Sequence, residues 1–243
     1  MNHQPLTKNQ MTSPDFQNVA IIVAHPDDET LWAAGTILNN PQWRVFIACL
    51  SRSSDAERSA RFYNAIRILG AEGQMADLDD GPEQDPLPEE LIELEILKLL
   101  AHLQFDLVIT HDPGGEYTRH LRHEEISKAV INLWNSEKIT SNELWTFAYE
   151  DQHKKRLPEA IDEASYFQNL NKETWQKKYE LITETYKFPK DSWEAKTTPK
   201  AEAFWQFRKP EEAMIWLNKH ETPKGNNMSA HIFSTSLHPP IFY

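Results

Sequence analysis

Between residues 19 and 148 the chain alternates short apolar runs with longer stretches of helical period, and this alternation restricts the fold more than any other feature. Runs rich in β-branched residues, separated by helical stretches, are parallel strands joined by crossover helices. The strands fall at Val19 to Ala24, Arg44 to Leu50, a weaker Gln74 to Leu78, Phe105 to Thr110 and Leu144 to Ala148. All but the third are apolar almost throughout, as strands covered on both faces must be. Between them, Ser54 to Leu69 reads as a helix with a Ser start and Gly70 as its stop. Pro88 to Leu103 reads as another, with Pro at its first turn and Leu91, Leu94, Leu97, Leu99 and Leu100 on its apolar face. The class is α/β.

A chain of 243 residues, 40% hydrophobic with eight Trp and eleven Phe, can bury a core of the size this class needs. Residues 1–17 read as a polar N-terminal arm and 18–150 as the α/β core. Residues 151–243 read as a section completing the same domain, with a helix around Lys172 to Tyr186 and an irregular tail holding His231, His238, Pro239 and Pro240. A net charge of −12 argues against nucleic acid and anionic membrane surfaces as partners, since both require clustered Lys and Arg. No run approaches the roughly 18 apolar residues of a spanning helix, and MNHQPLTKNQ is not a secretory signal, which places the chain in the cytoplasm. Cys49 stands alone within VFIACL, as a core thiol does, so cysteine supplies neither a disulfide nor a metal site.

In an open, Rossmann-like sheet, ligands sit where the carboxyl ends of strands feed into loops. VAIIVAHPDDET, residues 19–30, delivers His25, Asp27, Asp28 and Glu29 to such an end. A histidine and an aspartate three positions apart on a strand-to-helix turn can aim a ring nitrogen and a carboxylate oxygen at one point, which is half of a zinc site. Asp27 and Asp28 differ in direction, so one can bind metal while the other remains free as a base. Acidic residues also cap the start of a helix, here Asp28 to Leu38, but His-Pro after a buried strand does no capping that Ser or Thr would not do better. The pattern as a whole favours a metal site.

FDLVITHDPGGEYTRHLRHEE, residues 105–125, repeats the design with a strand, a loop bearing Gly114 and Gly115, and then His120 and His123. Three apart at the start of a helix, these histidines face the same way. His25, Asp28 and one of the pair give the three protein ligands of a catalytic zinc, the other histidine remaining for catalysis. The competing reading makes both surface residues of a polar helix. His111, at the end of its strand, reads as structural support within the loop ahead of a contact to the site.

AHPDDE, from Ala24 to Glu29 after an apolar strand, resembles the signature of the PIG-L or LmbE-like family of zinc-dependent N-deacetylases. The loop from Gly115, Glu116 and Tyr117 to His120 and His123 is similar to the family's later GEY and H-x-D-H segment. The helix from Arg58 to Leu69 and Gly70, and the turn at Asp79, Asp80 and Gly81, resemble its middle. The resemblance spans about residues 19–150. It implies His25, Asp28 and His123 as ligands of one zinc per chain, Asp27 as general base, and His120 as the group that polarises the carbonyl or protonates the leaving amine. It also implies an N-acetylated sugar conjugate as substrate, of N-acetylglucosamine type. Two residues depart from the family pattern: Arg122 stands where relatives carry Asp, and Arg61 where many carry Glu. An arginine near His120 would disfavour an imidazolium there.

The expected chemistry is hydrolysis of an acetamide by a water activated on zinc, with Asp27 taking its proton. Arg58 and Asp80, near strand ends, are candidates for sugar hydroxyl contacts, against surface salt bridges. Trp175, Trp193, Trp205 and Trp216 lie in the divergent section, where a tryptophan can stack on a sugar face or simply fill core. Two rivals remain: a metal-dependent hydrolase of another bond, and a non-catalytic carbohydrate-binding protein. Without a Gly-rich first turn, nucleotide binding is disfavoured.

Overall fold

The computed structural model describes residues 16–83, 85–100, 102–117 and 120–220. A seven-stranded sheet carries the architecture, in the order β3-β2-β1-β4-β5-β9-β8. Strands β1 (Asn18–Val23), β2 (Arg44–Ser51), β3 (Glu72–Leu78), β4 (Gln104–Thr110) and β5 (Thr140–Phe147) run parallel, whereas β9 (Ala201–Phe207) and β8 (Tyr166–Asn169) pair antiparallel. The crossovers contain α1 (Asp28–Asn39), α2 (Ala56–Ile68), α3 (Glu89–Leu99) and α4 (Leu121–Asn135). A short hairpin of β6 (Tyr149–Glu150) with β7 (Glu159–Ala160) precedes β8. Beyond it come α5 (Lys172–Glu180), a π-helical turn (Leu181–Thr185), α6 (Trp193–Thr197) and, after β9, α7 (Pro210–His220).

Strand β1 explains why the sheet needs helices on both faces. Val19, Ile21 and Val23 enter one core with α1, α2 and the π-helical turn, while Ala20, Ile22 and Ala24 enter the other with α3, α4 and α7. With β1 paired to β2 on one side and β4 on the other, crossovers leave in opposite directions from this point. That is the switch point of a doubly wound sheet, where a crevice opens beyond the carboxyl ends of the strands.

Helices α1 and α2 lie close to their expected spans, although Asp55 rather than Ser54 caps α2, accepting from the Glu57 and Arg58 amides. Helix α3 stops at Leu99, short of the expected Leu103. The helix expected over Lys172 to Tyr186 divides, because Tyr186 N bonds back to Leu181 O and opens a π turn. The tail containing His231 and His238 lies outside the described residues, as do residues 1–15 of the N-terminal arm. Among the described residues no helix is long and apolar enough to cross a membrane.

Candidate active site

The loops after β1 and β4 meet over the switch point, and hydrogen bonds stitch them together. Ala24 N donates to His111 Nε2 at 2.9 Å, Ser51 Oγ donates to Ala24 O at 2.7 Å, and Ser127 Oγ donates to His111 O at 2.7 Å. His111 is therefore a fully buried brace: its Nε2 is taken by a backbone amide, and its Nδ1 faces Glu116 Oε2 at 3.1 Å. Cys49 is buried beneath the same turn, with its thiol directed at Ala24 O.

Three side chains converge beside this brace. His25 Nδ1 lies 3.1 Å from His123 Nε2 and 3.2 Å from Asp28 Oδ2, and the last two atoms are 3.5 Å apart. Each histidine turns its other nitrogen to a carboxylate: His25 Nε2 to Asp80 Oδ1 at 3.0 Å, and His123 Nδ1 to Glu116 Oε2 at 2.6 Å. With ring N–H groups donated outward, the two inward nitrogens present lone pairs to each other and to a carboxylate oxygen. Only a cation, or a proton in its place, satisfies three such donors. Zinc bonds of about 2.0–2.1 Å at tetrahedral angles would set donor atoms about 3.3–3.4 Å apart, which matches this triangle. The same cluster appears as two overlapping groups of potential ligands, His25 with His120 and His123, and Asp28 with His111 and His123. The Ala24 amide on Nε2 removes His111 from the second group.

The electrostatics describe an anionic pocket built for a positive charge. Burial lowers the His25 pKa, but Asp28 and Asp80 outweigh it and raise the group to about 10. Burial likewise opposes ionisation of Asp28, yet His123 and His111 hold its carboxyl well below the usual range. Asp27 goes the other way: burial and the adjacent Asp28 charge push its carboxyl well above that range. The Asp27 backbone has φ 131°, an unfavourable conformation for a non-glycine residue, and it caps α1 through its carbonyl rather than its side chain. That frees the carboxylate to line the cleft.

His120 also lines the cleft, stacked on His123 at 4.3 Å and edge-on to His25 at 4.7 Å, with no hydrogen-bond partner for its buried Nδ1 among the described residues. Burial and then the neighbouring His123 and His25 lower its pKa to about 3, so it stands as a neutral imidazole. Arg122, expected to act on His120, instead lies fully buried against Glu125 and the Asp85 carbonyl, tying α4 to the loop before α3. The depressed histidine owes nothing to it. Glu116 does the orienting that the family's aspartate suggested, by gripping His123 and His111 together, and the Asp112 amide donates to its second oxygen.

Arg58 borders the cleft, its guanidinium held over Phe188 at 5.7 Å. Asp80 borders it too, but its carboxylate is engaged by His25 and by Arg52 Nη2 at 2.7 Å, so it orients His25 more than it faces the cleft. Of the four tryptophans named from the sequence, Trp193 alone lines the cleft, together with Tyr117 and Glu194. Sequence reasoning gave no role to Glu29, which is fully buried and takes hydrogen bonds from Tyr186 Oη at 2.7 Å, Thr30 Oγ1 at 2.6 Å and Asp27 N at 3.2 Å. Arg61 also acquires a role here, donating to Tyr186 O at 2.8 Å at the end of the π-helical turn.

Fold and site together define a Rossmann-like α/β protein with a three-donor cation site at the switch point of its sheet. Residues 20–134 match the PIG-L family model, described as GlcNAc-PI de-N-acetylase. An uncharacterised protein of Acanthamoeba polyphaga mimivirus is 25% identical over 146 residues, a match covering 54% of this chain and 61% of that relative's length. In three dimensions the chain is similar to N,N'-diacetylchitobiose deacetylase from Pyrococcus horikoshii, with a TM-score of 0.62 and 18% identity over 88% of this chain and 90% of that one. It is also similar to GalB, the 4-carboxy-2-hydroxymuconate hydratase from Pseudomonas putida, at TM-score 0.57 and 16% identity over 78% and 95% of the two chains. The fold is thus shared by proteins named for different reactions, and the reaction must be argued from the site.

Proposed function

We propose that the protein is a zinc-dependent N-deacetylase, removing the acetyl group from an N-acetylglucosamine-type sugar conjugate to give acetate and a free amine. The observation that carries this reading is the close triangle of His25 Nδ1, Asp28 Oδ2 and His123 Nε2 with the Asp27 carboxylate beside it in the same cleft. The family description and the name of the Pyrococcus neighbour support the same bond and substrate class.

His25 Nδ1, Asp28 Oδ2 and His123 Nε2 would hold one zinc ion per chain, which when bound acidifies a coordinated water toward a pKa of about 7 and polarises a carbonyl. Asp27 accepts the proton of the attacking water. Its raised pKa suits the task, because a base titrating nearer the working pH can also return that proton to the amide nitrogen as the C–N bond breaks. His120, neutral and within the cleft, donates a hydrogen bond to the carbonyl oxygen as charge develops there, which favours polarisation over protonation of the amine. Arg58 contacts substrate hydroxyls, whereas Asp80 contributes chiefly through His25. The cytoplasmic setting expected from the sequence belongs to this reading.

Acetate release from a panel of N-acetylglucosamine conjugates tests it. The wild-type protein should release acetate, lose activity to a chelator and regain it with zinc. A metal-loaded protein that releases none, yet hydrolyses another bond, would favour the rival hydrolase. One that binds the conjugates without cleaving any bond would favour the binding protein.

A further inference from the structure

The cleft has two unlike sides. One is ionic, formed by His25, Asp27, Asp28, Arg52, Arg58 and Asp80. The other is an aromatic wall made by Trp193 and Tyr117, with Glu194 next to it. Trp193 opens α6, whose first turn is fixed by Ser192 Oγ accepting from Ala195 N at 3.2 Å. Its ring meets Tyr117 edge to face at 4.9 Å, which fixes its tilt, and the residue is still 38% exposed. A large aromatic surface left open to water at the mouth of a charged cleft gains free energy when a ligand covers it.

The other tryptophans named from the sequence are committed elsewhere. Trp175 stacks on Tyr179 at 5.4 Å, and Trp205 packs on Trp216, whose indole N–H donates to Asp112. Trp32 borders the cleft but is fully buried. Glu194 has no hydrogen-bond or ion-pair partner for its carboxylate among the described residues, so both oxygens are available to donors on a ligand.

We propose that Trp193, braced by Tyr117 and flanked by Glu194, is a stacking platform for the pyranose ring of the substrate. The inference rests on the sugar-conjugate reading above and adds the residues that select for it. A hexopyranose has one feature for each of these residues: a face of axial C–H groups for the Trp193 indole and a rim of hydroxyls for the Glu194 carboxylate. A flat aromatic ligand would cover the wall and leave Glu194 unmatched, while an acyclic amide would do neither. Because α6 lies beyond the segment matched by the family model, selectivity here is a property of this chain rather than of the shared core.

Saturation-transfer NMR with methyl β-glucosaminide, an amine that cannot turn over, tests the platform on the metal-loaded protein. Saturation should be strongest at the axial ring protons of one face, and cyclohexylamine, ring-sized but without hydroxyls, should bind more weakly. Trp193→Leu keeps an apolar contact with Tyr117 but removes the ring face, and should raise Kd about tenfold, while Trp193→Phe should stay within about threefold. Glu194→Gln should weaken binding less than Trp193→Leu does. Unchanged affinity in a folded Trp193→Leu protein would overturn the platform and leave the deacetylase reading standing. Saturation confined to the glycosidic methyl group would do the same without any variant. A wild-type protein that binds no glycoside would instead overturn the sugar reading and the platform with it.

Discussion

Adjacent aspartates in this site carry opposite burdens. Asp28 is pulled toward its anion by His123 and His111, whereas Asp27 is pushed toward its acid by burial and by Asp28 itself. Asp27→Asn should therefore keep zinc near normal by elemental analysis and lower kcat by about 10² to 10⁴-fold on a verified substrate, with KM little changed. Asp28→Asn should instead lose metal and recover partly in excess zinc. Equal turnover by Asp27→Asn and wild type would reduce Asp27 to a helix cap. A second test concerns protons. Below its pKa of about 10 the metal-free His25 carries a proton on the nitrogen that faces the triangle, while Glu116, held near 2, and Asp28 are already ionised. Metal entering at neutral pH must displace that one proton, so affinity should rise about tenfold per pH unit between pH 6 and 8. A pH-independent zinc affinity would mean that His25 is not a ligand. The histidines and aspartates were legible because ligand spacing is local. Glu116 stood within the quoted loop but could not be assigned, since its link to His111 and His123 depends on how α4 enters the loop.

Elements with a clean period were equally legible, and those whose shape depends on a distant partner were not. Strands β1, β2, β4 and β5 are buried almost throughout, so their composition announces them. Strands β8 and β9, at the antiparallel edge, are partly exposed, and the sequence shows no comparable run. The π-helical turn was invisible for a further reason: its extra residue serves a contact and not a pattern. It brings Tyr186 over Glu29, which in turn holds the Asp27 amide. Removing the hydroxyl with Tyr186→Phe should cost about 1 kcal/mol of stability, release the strained Asp27 backbone and reduce kcat by about tenfold while zinc content stays unchanged. A crystal structure of the variant with Asp27 still at positive φ, and kcat unaltered, would show that Glu29 needs no support from the C-terminal section.

At the scale of the whole molecule, the section after residue 150 holds helix α1, which carries Asp28, from its far end. Glu202 of β9 takes Lys178 Nζ at 2.6 Å and the Gly35 amide at 2.8 Å on one oxygen, and the Thr36 amide and hydroxyl, both at 2.6 Å, on the other. Glu202, Lys178 and Thr36 are fully buried, and the approach is so close that a Cβ on Gly35 would lie 2.4 Å from Leu170 and 2.9 Å from Glu202. Helix α1, which begins with Asp28, is thus fixed by a carboxylate from the opposite part of the chain. The pair is costly to break singly, because either partner alone is a buried charge. Lys178→Met should lower unfolding free energy by about 3–5 kcal/mol in urea titrations. Adding Glu202→Gln should restore part of that loss, since the amide oxygen still accepts from the Thr36 amide and hydroxyl and the site no longer holds an uncompensated charge. The same reasoning predicts that zinc affinity in the double variant stays near wild type, with α1 held by its remaining hydrogen bonds. Strictly additive losses from the two substitutions would mean that Lys178 and Glu202 do not act as a pair, and that the C-terminal section steadies α1 through its apolar contacts alone.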